Sequence, residues 1–366
     1  MNQPFYEKRL NEDLKKITKS IAAVGTKIDR SLKDSLHALL NFDRELAYHT
    51  ILGDNPINRE VESIDKQCHY FVARHLPSAG HLRFVSSVMR INIELERVGD
   101  YAVTISREAV QLSEPLTDDL RREIEHMARS AFQMFNQSVR AFKEQNVELA
   151  KGTIVFEENI DSTFSAIFAL LVNRGERDVF STVDLFSLLA IVNMLERVSD
   201  QAKNICEETI FSVTGESKIR KPVRILFLDK ANDLYGPMAT SIARKAFPNS
   251  GIYVSAGSET VEELRPDFIN FMDRNGYSVE GIESNEIQLV EEEWAKFKVI
   301  ISLRGEYQSY ISKLPFHSVA LNWELPDPPS KELPEDQKDQ VFTEILRLLA
   351  HHIQDLMTLM RGEEAS

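Results

Sequence analysis

A short acidic motif occurs twice in this chain, each time inside a long segment whose apolar residues recur with the period of an α-helix. Residues 96–100 read E-R-V-G-D, and residues 196–200, 100 positions further on, read E-R-V-S-D. Four residues correspond to slightly more than one helical turn, so the first and last acids of each motif project from one side of the helix. Two carboxylates on one side of a core-forming helix are costly unless a positive charge meets them. The repeat therefore predicts two related helical units and marks where their chemistry is to be sought.

The repeat extends beyond the motif. Residues 45–51 read E-L-A-Y-H-T-I and residues 148–154 read E-L-A-K-G-T-I, an offset of 103 rather than 100. We predict a helical domain over 1–212 that contains two three-helix units, at about 8–113 and 117–213. The six predicted helices cover 8–50, 55–75, 79–113, 117–151, 153–174 and 178–213.

The pattern changes after the helical domain. A polar stretch that contains glycine and basic residues predicts a linker over 213–222. Beyond it, short apolar runs alternate with amphipathic segments, which is typical of a doubly wound α/β domain with a parallel sheet, here over 223–366. The predicted strands are 223–228, 252–255, 299–302 and 318–321, and the predicted helices are 237–247, 261–275 and 335–361. The chain is thus predicted to be a multidomain protein of α and α/β class.

The charge balance narrows the classes of function. With 57 acidic and 43 basic side chains among 366 residues, the formal net charge is −14, which argues against general nucleic-acid binding and suits a protein that collects cations. The two cysteines, Cys68 and Cys206, form no disulfide framework, so we expect a reducing, cytoplasmic environment. We recognise neither a signal peptide nor an apolar run of membrane-spanning length, and so expect no direct membrane insertion.

Pairs of oxygen-bearing side chains with i, i+4 spacing are the candidate metal ligands. Carboxylates projecting into helix bundles build metal sites, and all-oxygen ligation suits oxidised iron, manganese, magnesium or calcium. The alternative is a solvated helix face on which the acids pair with lysine or arginine for little energy. The pairs are Asp54/Asn58, Glu96/Asp100, Glu157/Asp161 and Glu196/Asp200, and Asn204 lies one further turn beyond the last.

Two features favour ligands over a solvated face. The apolar residues Met89, Ile93 and Val103 share a face with the first acidic motif, which predicts that this face is directed inward. The same pair also recurs at the equivalent place in the second unit.

Several stretches of the helical half resemble the PhoU family. They are ELAYHTILGDNPIN, RHLPSAGHLRFVSSVMRI, LERVGDYAVTI and LERVSDQAKNI, and the resemblance covers residues 8–213. It implies two pseudo-symmetric three-helix bundles that bind multinuclear metal clusters, with iron expected and manganese, magnesium or zinc as alternatives. It also implies a negative regulator of phosphate uptake that works with a phosphate transporter and a sensor histidine kinase, and it leaves a homo-oligomer open. The matching ligand positions are Glu96, Asp100, Glu196, Asp200, Glu157 and Asp161, whereas Asn58 departs from the acidic pattern.

The α/β half begins with a buried strand that runs into a loop and then a helix, the natural arrangement for an anion site. The domain resembles the low-molecular-weight protein tyrosine phosphatases and their arsenate reductase relatives. This resemblance covers about 223–358. It rests on the loop start and Pro-Met-Ala at 228–239, on V-S-A-G at 254–257, and on N-W at 322–323 with D-P at 327–328.

The loop has lost the residues that this chemistry needs. The family uses a cysteine thiolate as nucleophile and an arginine that grips the oxyanion. Here Asp229 stands at the nucleophile position, Tyr235 at the arginine position and Gly236 at the Ser/Thr position. Asp327 matches the general acid of the family but has no nucleophile to assist, and Asp229 and Asp233 would repel phosphate, with Lys230 offsetting only part of this. We therefore predict a pseudophosphatase, whose degenerate loop comprises Asp229, Lys230, Asn232, Asp233, Tyr235 and Gly236.

Two other hypotheses remain open. An aspartate at the end of the first strand is suitably placed for a phosphatase or arsenate reductase with altered chemistry based on Asp229. However, the second acid usual two residues later is replaced by Ala231. Alternatively, the helical half is a metal-free scaffold. We favour a non-catalytic regulator of phosphate uptake or signalling that combines a metal-binding helical module with a pseudophosphatase module.

Overall fold

The computed structural model describes residues 5–176, 181–216, 222–259, 264–282, 285–287, 294–311, 314–315, 318–330 and 332–361. The chain divides into two compact units, Met1–Ile219 and Arg220–Ser366. This division falls inside the predicted linker. The linker expectation itself needs correction at its start, because the last helix of the first unit continues to Thr214. Residues 217–221 of the linker lie outside the described part.

The first unit is helical and consists of two similar halves. The first half contains α1 (Phe5–Asn41), α2 (Arg44–Leu52), α3 (Asp54–His75) and α4 (Ala79–Gln111). The second contains α5 (Asp118–Glu144), α6 (Val147–Ile154), α7 (Glu157–Glu176) and α8 (Thr182–Thr214). Each half therefore has three long helices, as predicted, and one short helix that was not predicted.

The additional helices arise from a break at the same place in each half. The segments predicted as single helices over 8–50 and 117–151 are interrupted at Phe42 and Gln145, whose φ angles are 53° and 51°. Left-handed backbone ends a helix, and non-glycine residues rarely adopt it. The chain then re-enters a helix through a side-chain cap, because Asp43 accepts the N–H of Leu46 and Asn146 accepts that of Leu149.

The two halves pack around a common core, with α4 and α8 in contact at the centre. The Gln201 amide donates a 3.3 Å hydrogen bond to the hydroxyl of Tyr101, and these two residues occupy equivalent positions at the repeat offset of 100. A contact between equivalent positions places the pseudo-symmetry axis between these helices. The core is continuous across both halves and contains fully buried aromatic side chains, among them Phe71, Phe135, Phe142 and Phe164. In the described part of the chain, no helix is both long and apolar enough to cross a membrane.

The second unit is built on a five-stranded parallel sheet of order β3-β2-β1-β4-β5. The strands are β1 (Val223–Asp229), β2 (Gly251–Gly257), β3 (Asn285–Glu286), β4 (Val299–Ser302) and β5 (Val319–Asn322). The helices are α9 (Tyr235–Ala246), α10 (Pro266–Arg274) and α11 (Glu335–Arg361). The α/β prediction is thus confirmed, although β3 was not predicted. The helix predicted over 261–275 begins at Pro266 in the described part, and 261–263 lie outside it.

Both faces of the sheet are covered by apolar residues. Ile225 and Phe227 of β1 pack in the core that includes α9 and α11, whereas Leu226 and Leu228 pack on the opposite side against Trp294 and Phe297. The nearly continuous apolar run of β1 follows from this double burial. Because the strands are parallel, their carboxyl ends meet at one edge, where Asp229 aligns with Gly257 of β2. The residues that follow β1, β4 and β5 are therefore brought to the same edge.

Candidate metal-binding faces and the degenerate loop

The first acidic site lies where α3 meets α4 and contains Asp54, Asn58, Glu96 and Asp100. Asp54 is the first residue of α3, and its Oδ1 is 3.6 Å from the point that a Cβ on Gly99 would occupy, so its carboxylate lies against α4. Partial burial, and then the charge of Asp54, raise the pKa of Asp100 above its ordinary value, although much of the side chain is exposed. The two helices therefore bring their acids into electrostatic contact.

An orphaned oxygen lies within the first acidic site. The Asn58 amide donates a 2.6 Å hydrogen bond to Oδ2 of Asp54. Its carbonyl oxygen Oδ1 is buried and has no hydrogen-bond partner among the described residues. A buried acceptor without a donor is costly, and a cation is one group that would satisfy it.

The second acidic site occupies the equivalent place between α7 and α8 and contains Glu157, Asp161, Glu196 and Asp200. Burial, followed by the charges of Asp200 and Asp161, raises the pKa of Glu196 to about 7, and Glu157 adds to this effect. The other three carboxyl groups therefore each lie close enough to act on Glu196. Glu157 is buried and the other three are partly buried.

A lysine that sequence reasoning missed belongs to the second acidic site. The ammonium group of Lys203 donates to Oε1 of Glu157, and the two side chains are 21% and 10% exposed. Burial acts to lower the pKa of Lys203, but the hydrogen bond and charge of Glu157 outweigh it and raise the pKa. Lys203 lies three residues after Asp200, a spacing that places both on one side of α8, and this was the available signal. The amide nitrogen of Asn204, the weaker predicted ligand, donates to Oε1 of Gln201 of the same helix at 3.4 Å.

The expectation of inward-directed acids is wrong for the first site. Glu96 and Asp100 are exposed, and Ile93, which shares their face, is 50% exposed, so this stripe of α4 is largely at the surface. Val103 is buried and Met89 is partly buried. The face thus combines an apolar base with acids that reach outward.

The donor types suit a hard cation, but the side chains do not form a closed ligand set. Within the described ranges, no three His, Cys, Asp or Glu side chains converge closely enough to hold an ion as they stand. In each site burial, and then the charge of neighbouring carboxylates, raises the pKa of one acid, Asp100 in the first and Glu196 in the second, and the buried carbonyl oxygen of Asn58 has no hydrogen-bond partner among the described residues. Ligation would therefore need the acids to turn toward a common point, which the exposed side chains of the first site leave room for.

The degenerate loop places Asp229 at the N-terminal end of α9. Asp229 ends β1 and is 3% exposed, and its Oδ1 accepts the N–H of Lys230 at 2.7 Å. Burial raises the pKa of Asp229 to about 6, although the backbone N–H groups of Lys230, Tyr235 and Gly236 face the carboxyl group and act to lower it. Its other oxygen, Oδ2, is buried without a hydrogen bond of good geometry among the described residues. The loop therefore directs its backbone donors at a carboxyl group of its own chain.

Close backbone packing keeps this arrangement compact. Asn232 adopts a left-handed conformation with φ of 48° and is fully buried. A Cβ on Gly236 would lie 2.2 Å from Oδ1 of Asn232, and one on Gly257 would lie 3.0 Å from the carbonyl oxygen of Asp229. Both glycines are therefore required by contact rather than by backbone angle. The Gly236 position has no hydroxyl to offer a nucleophile.

Tyr235 fills the arginine position in a different way. Its hydroxyl donates a 2.6 Å hydrogen bond to the carbonyl oxygen of Pro326, which ties α9 to the segment after β5. Arg304, which sequence reasoning missed, lies over the Tyr235 ring at 6.0 Å and forms an ion pair with Asp327. Arg304 comes two residues after β4, and its place at the carboxyl edge of the sheet could have identified it.

The remaining predicted loop residues are engaged at the surface or partly buried. The ammonium of Lys230 lies 3.2 Å from a carboxylate oxygen of Glu259, and both side chains are 67% exposed. Asp233 is partly buried, and its charge is one of the causes that raise the pKa of Asp229. Asp327 is 86% exposed and paired with Arg304. The ammonium group of the loop residue Lys230 is thus directed to Glu259 rather than to the carboxyl group of Asp229.

Comparison with known proteins agrees with both halves of the structure. The PhoU domain model matches residues 21–109 and 124–209, and the low molecular weight phosphotyrosine protein phosphatase model matches residues 224–365. A curated relative from Pseudomonas putida, a phosphate-specific transport system accessory protein PhoU homolog, is 29% identical over 208 residues. The match covers 57% of this chain and 81% of the relative. The PhoU accessory protein of Escherichia coli strain K12 is 27% identical over the same number of residues, and 86% of it is covered.

A solved structure supports the helical half independently. The phosphate transport system regulatory protein PhoU from Streptococcus pneumoniae superposes with a TM-score of 0.54 and 27% identity. The superposition covers 57% of this chain and 99% of that structure. The helical half of this chain consists of PhoU domains, and the α/β half is a domain of the low molecular weight phosphotyrosine protein phosphatase type.

Proposed function

We propose that this protein is a non-catalytic regulator of phosphate uptake that acts on a phosphate transport system. The observation that carries the proposal is the extent of the match to the transport accessory proteins. More than four fifths of each of those relatives aligns with this chain, so the helical half corresponds to most of their length rather than to a fragment. A phosphate transporter is the proposed partner, and a sensor histidine kinase is the proposed second partner through which phosphate supply reaches gene expression.

The proposed cofactor is a metal cluster on the two acidic sites. Asp54, Glu96 and Asp100, with the Asn58 carbonyl, would hold the metal in the first site, and the second acidic site would use its four carboxylates. Iron is the proposed metal, with manganese, magnesium or zinc as alternatives, because hard oxygen donors suit these ions. A bound ion would supply positive charge where carboxylates of two helices repel one another, and would so join α3 to α4 and α7 to α8. The orphaned Asn58 oxygen supports this assignment.

We further propose that the α/β domain is a pseudophosphatase. Three features support this: a carboxyl group replaces the thiol, a hydrogen-bonded tyrosine replaces the arginine, and the backbone donors at the head of α9 face Asp229. A buried carboxylate where a phosphoryl group would bind excludes a second anion by repulsion. The domain is therefore assigned a binding or docking role.

The absence of catalysis is directly testable. We expect the full-length protein to hydrolyse p-nitrophenyl phosphate and to reduce arsenate no faster than a buffer control with the same thiol reductant, and Asp229→Asn to change neither rate. The measurement is product release at micromolar protein concentration across pH 5 to 8. Turnover that disappears in Asp229→Asn would instead establish the altered, aspartate-based enzyme.

Regulation is tested in a bacterium that lacks its own PhoU protein. Expression of the full chain is expected to restore repression of phosphate uptake in phosphate-replete medium, measured as the initial rate of radiolabelled phosphate entry. An empty vector is the baseline, and a chain that carries Asp229→Asn is expected to repress equally well because the proposal gives that carboxyl group no catalytic part. Uptake that remains at the empty-vector rate while the protein accumulates in folded form would contradict the proposed regulatory role.

A further inference from the structure

Two differences in charge lie within the acidic sites themselves. A third flanks them, because Arg107, whose charge acts to lower the pKa of Asp100, corresponds to Glu207, whose charge acts to raise the pKa of Lys203. Asn58 of the first site corresponds to Asp161 of the second, at the offset of 103 that relates α3 to α7. Val103 corresponds to Lys203, at the offset of 100 that relates α4 to α8. The second acidic site thus has one carboxylate more than the first, and it also has an ammonium group where the first has an isopropyl group.

The ammonium group of Lys203 bridges the two helices of its site. Lys203 lies on α8, and its Nζ donates to Oε1 of Glu157, the first residue of α7. Both side chains are largely removed from water, at 21% and 10% exposure, so the pair is screened less than a surface ion pair. At the equivalent place in the first site, Val103 is 7% exposed. Among the described residues, Lys203 thus joins the two helices of the second site by its charge, whereas its equivalent in the first site is an uncharged valine.

We infer that Lys203 is a built-in counter-cation of the second acidic site, which competes with a metal ion for Glu157 and weakens metal binding there. This inference rests on the metal-binding part of the proposed function. A metal that used Glu157 would have to displace the ammonium group or bind beside it, and either course costs electrostatic energy. The extra carboxylate at Asp161 and the lysine at 203 then offset each other.

Loss of the Lys203 ammonium group should have two opposite effects, a lower stability of the metal-free protein and a higher affinity for metal. Removal of the ammonium takes one counter-charge away from the buried carboxylate of Glu157, which destabilises the metal-free helical domain. It also removes the cation that a metal would have to displace at Glu157, which strengthens metal binding. A purely structural ion pair would produce only the first effect, so the gain in metal affinity distinguishes the two roles.

The test isolates the second site by disabling the first. Apo protein carrying Glu96→Ala is titrated with Mn²⁺ by calorimetry and compared with the double variant Glu96→Ala/Lys203→Met. We expect the double variant to bind Mn²⁺ at least about tenfold more tightly, which corresponds to roughly 1.4 kcal/mol. Its midpoint of thermal unfolding without metal should be lower, and saturating Mn²⁺ should raise that midpoint by a larger interval.

Three further variants make the comparison specific. Lys203→Gln keeps a hydrogen-bond donor near Glu157 but removes the charge, so it should also bind more tightly and serves if the methionine variant folds poorly. Lys203→Arg keeps the charge and should bind as weakly as the parent. Lys66→Met removes a lysine that pairs with Glu62 of the same helix and is 71% exposed, and it should change nothing.

The possible results distinguish the counter-cation role of Lys203 from metal binding on the acidic sites. Equal Mn²⁺ affinity in the Glu96→Ala parent and in both charge-removing variants overturns the counter-cation role and leaves metal binding intact. Failure of every form, including the wild type, to bind Mn²⁺ overturns the metal-binding proposal and the inference together. Tighter binding that appears only on loss of the charge supports both.

Discussion

Replacement of Asp229 with asparagine is expected to stabilise the α/β domain by about 3 kcal/mol at pH 7.5 and to leave it almost unchanged near pH 4. Burial raises the pKa of Asp229 from 3.8 to about 6, so the native state holds this proton more tightly than the unfolded chain does. Between these two values the unfolded state binds fewer protons, and stability therefore falls as the pH rises. The loss is complete above the folded pKa, and an asparagine, which cannot ionise, avoids it.

The measurement is urea unfolding of the full chain at a series of pH values from 4 to 8. Both tryptophans, Trp294 and Trp323, lie in the α/β domain, so their fluorescence reports its unfolding alone. Asp327→Asn is the matched control, because Asp327 belongs to the same edge of the sheet but is 86% exposed, and a change there should stay within about 1 kcal/mol at every pH. If the difference in unfolding free energy between wild type and Asp229→Asn did not change with pH, burial would not be raising the pKa of Asp229.

Replacement of Glu96 and Glu196 together by alanine is expected to weaken metal binding at least about 100-fold, since loss of even an outer-sphere partner often costs 10- to 100-fold. The variant removes one carboxylate from each acidic site and leaves the apolar core of α4 and α8 untouched. Loss of a charge that its neighbours repel should not unfold the protein, because the pKa of Glu196 is raised by the burial and by the acids around it. The same variant is expected to lose repression of phosphate uptake in the cell assay.

The control for this variant removes a different pair of glutamates that are equivalent in the repeat. Glu45 and Glu148 occupy equivalent positions in the two halves and are 89% and 87% exposed, so Glu45→Ala/Glu148→Ala removes the same number of charges outside the acidic sites. Metal affinity and repression should both stay at wild-type values in the control. Full repression by Glu96→Ala/Glu196→Ala, with its metal content unchanged, would favour the metal-free scaffold.

The long helices could be predicted from sequence because their apolar stripes repeat over many turns, and the core positions of α4 and α8 follow that period. The breaks at Phe42 and Gln145 were missed, since neither residue is a glycine or proline, and the N-cap residues that follow them, Asp43 and Asn146, were the local signal. Strand β3 was missed for a different reason, since it is only two residues long and takes its strand conformation from pairing with β2.

In the acidic sites, the spacing of acids along one helix could be predicted from sequence, whereas the contacts between helices could not. Spacing alone placed Glu196 and Asp200 on one side of a helix, but their proximity to Asp161 depends on how α7 packs against α8. The exposure of Glu96 was likewise misjudged, because an apolar neighbour such as Ile93 can itself lie at the surface. Lys203 and Arg304 were missed because each forms an ion pair with a residue distant in sequence, Lys203 with Glu157 and Arg304 with Asp327.

The most direct test of metal binding on the acidic sites is elemental analysis of the protein purified without a metal-affinity tag, beside Glu96→Ala/Glu196→Ala prepared in the same way. We expect the wild type to contain at least one equivalent of iron or another hard metal per chain, and the variant to contain much less. A wild-type protein that retains no stoichiometric metal, and takes up none when it is incubated with iron or manganese, would contradict the account.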